Sequence, residues 1–346
     1  MNGCKVTKSY WFVAAAVASV AATVGCVPKP ENALIVYSAA DREFAEPIFA
    51  AYQRRHAKTE VIPQFDVEST KTVGLVTRIE TESSRPRCDV FWNNEIMHIL
   101  RLESAGMLAP ISWDIPRDWP TSMRSKQNMW VGFGARARVL LVNRELLPAS
   151  GDRPNSVFDL VDPRWQNKCG VASPLFGTTA THFTVLVEKL GSDKAAEFFS
   201  RVKQNAVVLA GNKQVAQAVS AGQLAFGLTD TDDALIEIDN GLPVEIIFPD
   251  QATDQLGTLM IPNTVAVLKN APHPIAAQSL ANFLLSENTE GRLAMGSGGQ
   301  FPIRPNHPQK SRANPNASLR TMDVDFEKAA DLWPSASKQL GDIFAK

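Results

Sequence analysis

Three carboxylates, Asp230, Asp232 and Asp233, crowd into four residues of the stretch Gly-Leu-Thr-Asp-Thr-Asp-Asp-Ala that runs from Gly227 to Ala234. Before them, Leu224 to Leu228 is a short apolar run with the length of a buried strand. After them, Ala234, Leu235, Ile236 and Ile238 recur with helical spacing as far as Gly241. The acids therefore fall on a strand-to-helix turn, and in open α/β sheets ligands sit in the crevice outside the carboxyl ends of the strands. Oxygen ligands of this kind suit a hard cation, or accept hydrogen bonds from an ammonium group or from sugar hydroxyls. Helix capping competes for the same residues, because Asp or Thr before a helix satisfies free N–H groups and suits the helix dipole. Capping occupies one or two of Thr229, Asp230, Thr231, Asp232 and Asp233 and gives no reason for all of them. At least one of these acids is expected to face a ligand.

A second chemical feature is Gly177-Thr178-Thr179, which opens a helix carrying Phe183, Leu186, Val187 and Leu190. Free N–H groups, hydroxyls and the helix dipole converge there, so the start of this helix is either an anion site or an ordinary Thr cap. His182, one turn further, reads as a partly exposed helix residue rather than a metal ligand. Asp41 lies at another strand-to-helix turn, where a first-turn helix acid is the simpler reading. Asn93-Asn94-Glu95 forms a turn after a strand that ends in Trp92, and Asn212 is expected to cap a helix from Gln214 to Ala221.

The elements that must position these residues alternate. Ala33 to Ser38 has a buried-strand pattern and leads to a helix with Phe44, Ile48, Phe49 and Tyr52 on one face. A strand from Thr59 to Gln64, a polar segment Glu68 to Thr72, a helix from Val73 to Glu82, a strand from Cys88 to Trp92 and a helix from Ile96 to Ala105 follow. This βαβ alternation implies a parallel sheet with helices on both faces. Trp130 to Asn143 is a strand long enough to pass between two lobes. After it come a strand from Cys169 to Ser173, a helix from Asp193 to Lys203 and the acidic turn. Strands from Val244 to Phe248 and Thr258 to Leu268 are next, with Pro262 marking an edge or crossover. Helices from Pro274 to Leu285 and Thr289 to Ala294 precede the flexible turn Gly296 to Gly299. Residues 305 to 322 are polar and rich in Pro, Asn and Ser, and two closing helices, near Val324 to Leu332 and Ser335 to Phe344, brace one lobe.

Residues 1 to 26 read as an export leader: Lys5 and Lys8 precede an apolar core from Trp11 to Val24 that is short for a membrane span. The leader ends in Thr23-Val24-Gly25-Cys26, which resembles a lipoprotein processing box with Cys26 as the lipidated residue; a simple cleaved signal is the alternative. Without it about 320 residues remain, enough for two domains with a substantial core. The formal net charge of −1 gives no reason to expect nucleic acid or an anionic membrane surface as a partner, so local carboxylate clustering must carry any charge-based recognition. Cys88 and Cys169 are left in an oxidising setting, where they either pair or remain buried thiols; no spacing suggests a zinc site.

With these pieces in order, the chain from Ala33 onward resembles the ferric-ion branch of the periplasmic solute-binding proteins of ABC importers. The likeness rests on Leu34-Ile-Val-Tyr-Ser, on Cys88-Asp-Val-Phe-Trp with Glu95 and Ile96, and on Gly134-Ala-Arg-Ala-Arg-Val. Val219-Ser-Ala-Gly-Gln-Leu-Ala-Phe-Gly-Leu and the helix end Leu284-Leu285-Ser286 extend it. The resemblance implies a type II-like α/β fold of two lobes joined by hinge strands, closing on a ligand without catalysis. The first lobe is expected to comprise 33–135 and 262–303, and the second 136–261 and 304–346. In that branch the metal is held by a His, a Glu and two adjacent Tyr, and the matching positions here carry Asp41, Asn94, Asp232 and Asp233, with Glu95 adjacent to the Glu position and able to replace it. The branch's synergistic-anion site matches Thr178, Thr179 and Ala180, and the Asn that assists it is kept as Asn212.

An all-oxygen site of this kind suits iron(III) or a divalent hard ion with an anion. A phosphorylated sugar or an aminophosphonate is the alternative, ranked second because four acids around one organic ligand leave carboxylates buried and unpaired. A hydrolase using paired carboxylates is the alternative of another class. No Gly-x-Ser-x-Gly, His-Glu-x-x-His or Lys-containing phosphate loop supports an enzyme. The expected partners are an importer permease and the small ligand, with the chain a monomer held at the extracytoplasmic membrane face only through its lipid.

Overall fold

The computed structural model describes residues 32–66, 73–314 and 318–345. The expected leader with Cys26 and the polar segment Glu68 to Thr72 lie outside the described residues.

In chain order the first lobe begins with β1 (Asn32–Ser38), α1 (Arg42–Arg55), β2 (Thr59–Phe65), α2 (Val73–Thr81), β3 (Val90–Asn93), α3 (Met97–Ser104) and the short β4 (Leu108–Ala109). The long strand β5 (Trp130–Asn143) leads to β6 (Cys169–Ala172), α4 (Gly177–Leu190), α5 (Ser192–Asn205), β7 (Val207–Leu209) and α6 (Asn212–Ser220). Then come β8 (Phe226–Asp230), α7 (Thr231–Asp239), β9 (Val244–Ile247), β10 (Met260–Leu268), α8 (Pro274–Leu284), α9 (Glu287–Met295) and α10 (Phe326–Phe344). The mixed α/β fold of two lobes agrees with the expectation. The strands are less uniformly parallel than the βαβ pattern implies: β1 runs parallel to β2 and β3, and β6 parallel to β7 and β8, but β10 and β5 are antiparallel to their neighbours. These two antiparallel strands join the halves.

The order β2-β1-β3-β10-β5-β8-β6-β7 makes β5 the shared strand. Its first half, to Ala137, pairs with β10, and from Arg138 onward it pairs with β8. All fourteen residues of β5 are buried, so the strand passes through the centre of the molecule. The register of β10 shifts between Pro262 and Asn263, because proline has no N–H for the ladder. Beside the shift, Gly134 adopts φ +43, and a Cβ there would lie 2.7 Å from Gln300 Oε1, so the crossing needs a residue without one.

Each lobe has an apolar layer on both faces of its strands. In the first lobe, Leu34, Val36, Trp92 and Phe133 pack with α1 and α8, while Tyr37, Phe91 and Ile99 pack with α2 and α3. In the second, Leu140, Val171 and Phe226 pack with α4 and α5, while Val139, Leu141 and Ala216 pack with α6 and α7. Cys88 and Cys169 belong to the cores of different lobes and are both free, which removes the pairing considered above.

The two expected closing helices are one: α10 runs through Pro334, whose missing N–H removes one hydrogen bond without ending a helix held by packing on both sides. Phe326 and Ala329 join the first-lobe core, and Ala336, Leu340 and Phe344 join that of the second. α10 therefore straddles the lobes instead of bracing one.

The strand that delivers the acidic turn is crossed closely by α6. A Cβ on Gly227 would lie 2.3 Å from Val215 Cγ1 and 3.2 Å from the Gly170 carbonyl oxygen. Gly227→Ala is expected to destabilise the protein by roughly 1–3 kcal/mol through overpacking, measured by urea unfolding. An unchanged midpoint would show that α6 moves aside freely.

Candidate functional site

Two residues that sequence reading passed over sit at the centre of the site. Arg136 and Arg138 alternate on β5, so both point to the same side of a strand buried along its whole length. A guanidinium cannot be neutralised by losing a proton, so each must find carboxylates. Arg138 Nη1 donates to Asp230 Oδ1 at 2.7 Å and to Asn212 Oδ1 at 3.0 Å, and Nη2 donates to Thr179 Oγ1 at 3.1 Å. Arg136 Nη1 lies 3.4 Å from Asp230 Oδ2 and 3.3 Å from Asp232 Oδ2, while its Nη2 donates to the carbonyl oxygen of Asn94. The signal was present in Gly134-Ala-Arg-Ala-Arg-Val: two charges at i and i+2 in an otherwise apolar strand require buried acids opposite.

Asp230 ends β8 and occupies the N-cap position of α7 without a side-chain capping bond. Its carboxylate also accepts from Thr178 Oγ1 at 2.6 Å and from Asn212 Nδ2 at 3.1 Å. Burial pushes its pKa up, but Arg138, Arg136 and the Thr178 hydrogen bond outweigh this and hold it below the usual carboxylate range. Asp232 and Asp233 occupy the first turn of α7, where the helix dipole favours negative charge. One oxygen from each of Asp230, Asp232 and Asp233 can be chosen so that all three lie within 4.8 Å of one another.

The other expected site residues are distributed as follows. Thr178 and Thr179 begin α4 beside the Asp230 cluster, and Asn212 bonds both: its Nδ2 donates to Thr178 Oγ1 at 2.8 Å and its Oδ1 accepts from Thr179 at 3.1 Å. Asn212 is thus the first residue of α6, with Gly211 in the cap position, which corrects the expected capping role. The backbone N–H of Ala180 donates to the Phe176 carbonyl at 3.2 Å, so the third member of the expected anion set is already spent within α4. Asn94 lines the inner recess with Thr178, Thr179, Asn212, Asp230 and Asp233, and Phe176 adds a half-exposed ring at its edge. Asp41 ends the turn after β1 and, with Glu43 and Glu46, lines an outer recess of about 450 Å³ together with Asp233, which places acids from both lobes on the same opening.

Glu95 departs from expectation. Its carboxylate accepts from the N–H groups of Met97 at 2.6 Å and His98 at 3.0 Å, from Asn93 Nδ2 at 2.8 Å and from Thr181 Oγ1 at 3.0 Å. It closes the start of α3, bonds α4 across the lobe junction and is not among the residues lining either recess, because a helix start offers a buried carboxylate two donors at once.

His182 is buried, not partly exposed, and neither ring nitrogen has a hydrogen-bond partner. Burial first, and then the charge of Arg138, lower its pKa to about 3. An unfolded imidazole titrates near 6.5. The folded value being the lower one, this contribution to stability is complete above pH 6.5 and is lost as pH falls from there toward 3. Between pH 7 and pH 5 the loss is expected to be roughly 2 kcal/mol, and His182→Leu should remove most of it. Urea midpoints measured at the two pH values check this; an equal fall in both proteins would assign the acid sensitivity elsewhere.

Among the described residues no helix is long and apolar enough to cross a membrane. The chain is 24% identical over 320 residues to "Iron uptake protein A2" of Synechocystis sp., an alignment covering 84% of this chain and 88% of that protein. The fold is similar to that of iron-bound HitA from Pseudomonas aeruginosa, with a TM-score of 0.80, 22% identity and coverage of 90% of this chain and 99% of that one. It is also similar to the periplasmic binding protein AfuA from Actinobacillus pleuropneumoniae with fructose-6-phosphate bound, with a TM-score of 0.79, 20% identity and coverage of 91% and 99%. The family model for bacterial extracellular solute-binding proteins matches residues 89–329, a span that contains every site residue above except Asp41, and the chain belongs to that family.

Proposed function

We propose that this chain is the extracytoplasmic solute-binding component of an ABC importer and captures iron(III) or another hard metal ion with an anion between its lobes. The observation that carries this reading is the convergence of Asp230, Asp232 and Asp233 on one point beside the start of α4. Hard cations prefer oxygen ligands, and anionic oxygen suits the free N–H groups and dipole of a helix start. Asp41 faces the same opening from the other lobe. In this reading the lobes are 33–135 with 262–303 and 136–261 with 304–346, α10 links them, and closure presents the loaded form to a permease. Export by the leader, attachment through Cys26 and a monomeric state complete the proposal. Asp230, held ionised by two guanidiniums, is unsuited to donate a proton as the acid of a carboxylate-pair hydrolase, which favours capture over turnover.

A second reading is favoured by one feature: the inner recess combines Thr178, Thr179, Asn212 and Arg136, a set suited to a phosphoryl or phosphonate group. The likeness to AfuA is consistent with it.

A thermal-shift panel on metal-stripped protein separates the two. Ferric citrate, divalent metals, sugar phosphates and aminophosphonates are compared at equal excess, with citrate alone as the control. A ligand at ~100 times its dissociation constant adds about 2.7 kcal/mol, a shift of a few degrees for a chain of this size. We expect a shift with metal that Asp232→Asn abolishes. A shift only with phosphorylated compounds, lost in Thr178→Val, would replace the metal reading by the second.

A further inference from the structure

The carboxylate of Asp230 is placed by the strand ladder. Asp230 is the cross-strand partner of Arg138 in the antiparallel pairing of β8 with β5, so its side chain and a fully buried guanidinium are neighbours by register. Arg138 Nη1 donates to Asp230 Oδ1 at 2.7 Å. Oδ2 meets the other donors: Thr178 Oγ1 at 2.6 Å, Asn212 Nδ2 at 3.1 Å and Arg136 Nη1 at 3.4 Å. A hydroxyl at a helix start, an amide and two guanidiniums form a donor set that suits a free oxyanion. Here a side chain of the protein takes it.

A phosphate or phosphonate from solution needs the same donors, and binding them would set its charge against that of a carboxylate in a site shielded from water, where repulsion is strong. Asp230 is not free to step aside. Its withdrawal would leave the buried Arg138 without its ion-pair partner, the costly way to break a buried pair. The space left beside the cluster is about 40 Å³, room for a few waters, against about 450 Å³ in the outer recess. A carboxylate has about four lone-pair directions, and Oδ1, with one donor, keeps a direction for a cation. One carboxylate can therefore satisfy the donors of the second lobe and still offer an oxygen to a metal.

We infer that Asp230 is a specificity-determining residue whose carboxylate is a built-in anion: it fills the oxyanion position at the start of α4, closes the inner recess to phosphate and phosphonate from solution, and leaves the cleft to a cation. An anion that arrives with a metal then binds the metal alone, from the wider outer recess. This last step rests on the reading of the acidic turn as a cation site, whereas the closing of the inner recess does not.

The test measures thermal unfolding of metal-stripped wild type and Asp230→Ala against inorganic phosphate and formate, with chloride at matched ionic strength as the control. The wild type should respond to neither anion. Asp230→Ala removes a group the size of formate from among the donors, so its melting temperature should rise saturably with formate and with phosphate. Its affinity for phosphate should exceed that of the wild type by on the order of a hundredfold or more. A carboxylate needed only for stability would lower the melting temperature of the variant without creating an anion site, and that result overturns the inference. Stabilisation of the wild type by phosphate, lost in Thr178→Val, overturns it equally and needs no variant at Asp230. Should Asp230→Ala fail to fold, Asp230→Ser, which keeps one acceptor for Arg138 and loses the charge, is read in its place by the same criterion. Ferric nitrilotriacetate titrated into the wild type in phosphate-free buffer checks the cation reading separately. No uptake of iron, with the wild type indifferent to phosphate and Asp230→Ala rescued by formate, would remove the metal and leave the built-in anion standing.

Discussion

The burial of two guanidiniums on the strand shared by both lobes is the constraint from which the site follows. Arginine keeps its charge at any depth, so a fully buried Arg138 and a nearly buried Arg136 oblige the fold to bring acids to them. Asp230 meets both, and it does so from the end of a strand adjacent to β5. Further Nη donors of Arg138 are met by the first residues of α4 and α6, although both arginine Nε atoms are buried without partners, so Thr178, Thr179 and Asn212 are held within a hydrogen bond of the same carboxylate or guanidinium. Replacing such a cluster by well-packed apolar residues often leaves stability unharmed, whereas removing one partner strands a buried charge. The cluster is therefore weak as a source of stability and strong as a device for positioning. Three elements, β8, α4 and α6, have their ends fixed relative to one another by it.

The same strand governs how the lobes meet. The switch of β5 from β10 to β8 between Ala137 and Arg138, the register shift at Pro262 and Asn263, and the positive φ of Gly134 lie within a few residues of each other along the paired strands. Rotation about this crossing needs small changes at few backbone positions, the usual character of a hinge. Other contacts limit the range of movement. Glu95 accepts from Thr181 across the junction, and α10 contributes apolar residues to the cores of both lobes. These contacts lie where α3, α4 and α10 meet, while Asp41 and Asp233 line one opening.

Much of the fold was legible because it depends on periodicity. The apolar run from Trp130 to Asn143 reads as one long strand and is one, and the acidic turn after Leu228 lies at the strand-to-helix junction that its pattern indicates. Antiparallel pairing of β5 and β10 was hidden, since strand direction depends on partners distant in sequence. Pro334 reads as a break between helices, yet packing of α10 on both lobes overrides the local cost. Within the site, Thr178, Thr179, Asn212 and the three acids of the turn come together, but Glu95 and Ala180 are consumed by helix starts, a matter of donor geometry that residue type does not reveal. Arg136 and Arg138 were visible as residues and passed over as part of a strand, because their significance lies in the depth of burial. His182 was misjudged for the same reason.

Charge balance narrows the ligand further than shape does. The acids lining the inner and outer recesses are Asp41, Glu43, Glu46, Asp230 and Asp233, the cations lining them are Arg42, Lys213 and Arg136, and Asp232 and Arg138 are ion-paired to this set. Six formal negative charges against four positive ones leave an excess of two. A simple dianion would enter against that excess, although the start of α4 alone would welcome it. A cation, or an anion accompanied by one, restores balance, and a trivalent ion with a singly charged anion matches the excess of two. An organic phosphate needs an ammonium group, or the uptake of protons, to reach the same state. The acids of the first lobe line the same opening as Asp233, so selection by charge draws on both lobes at once.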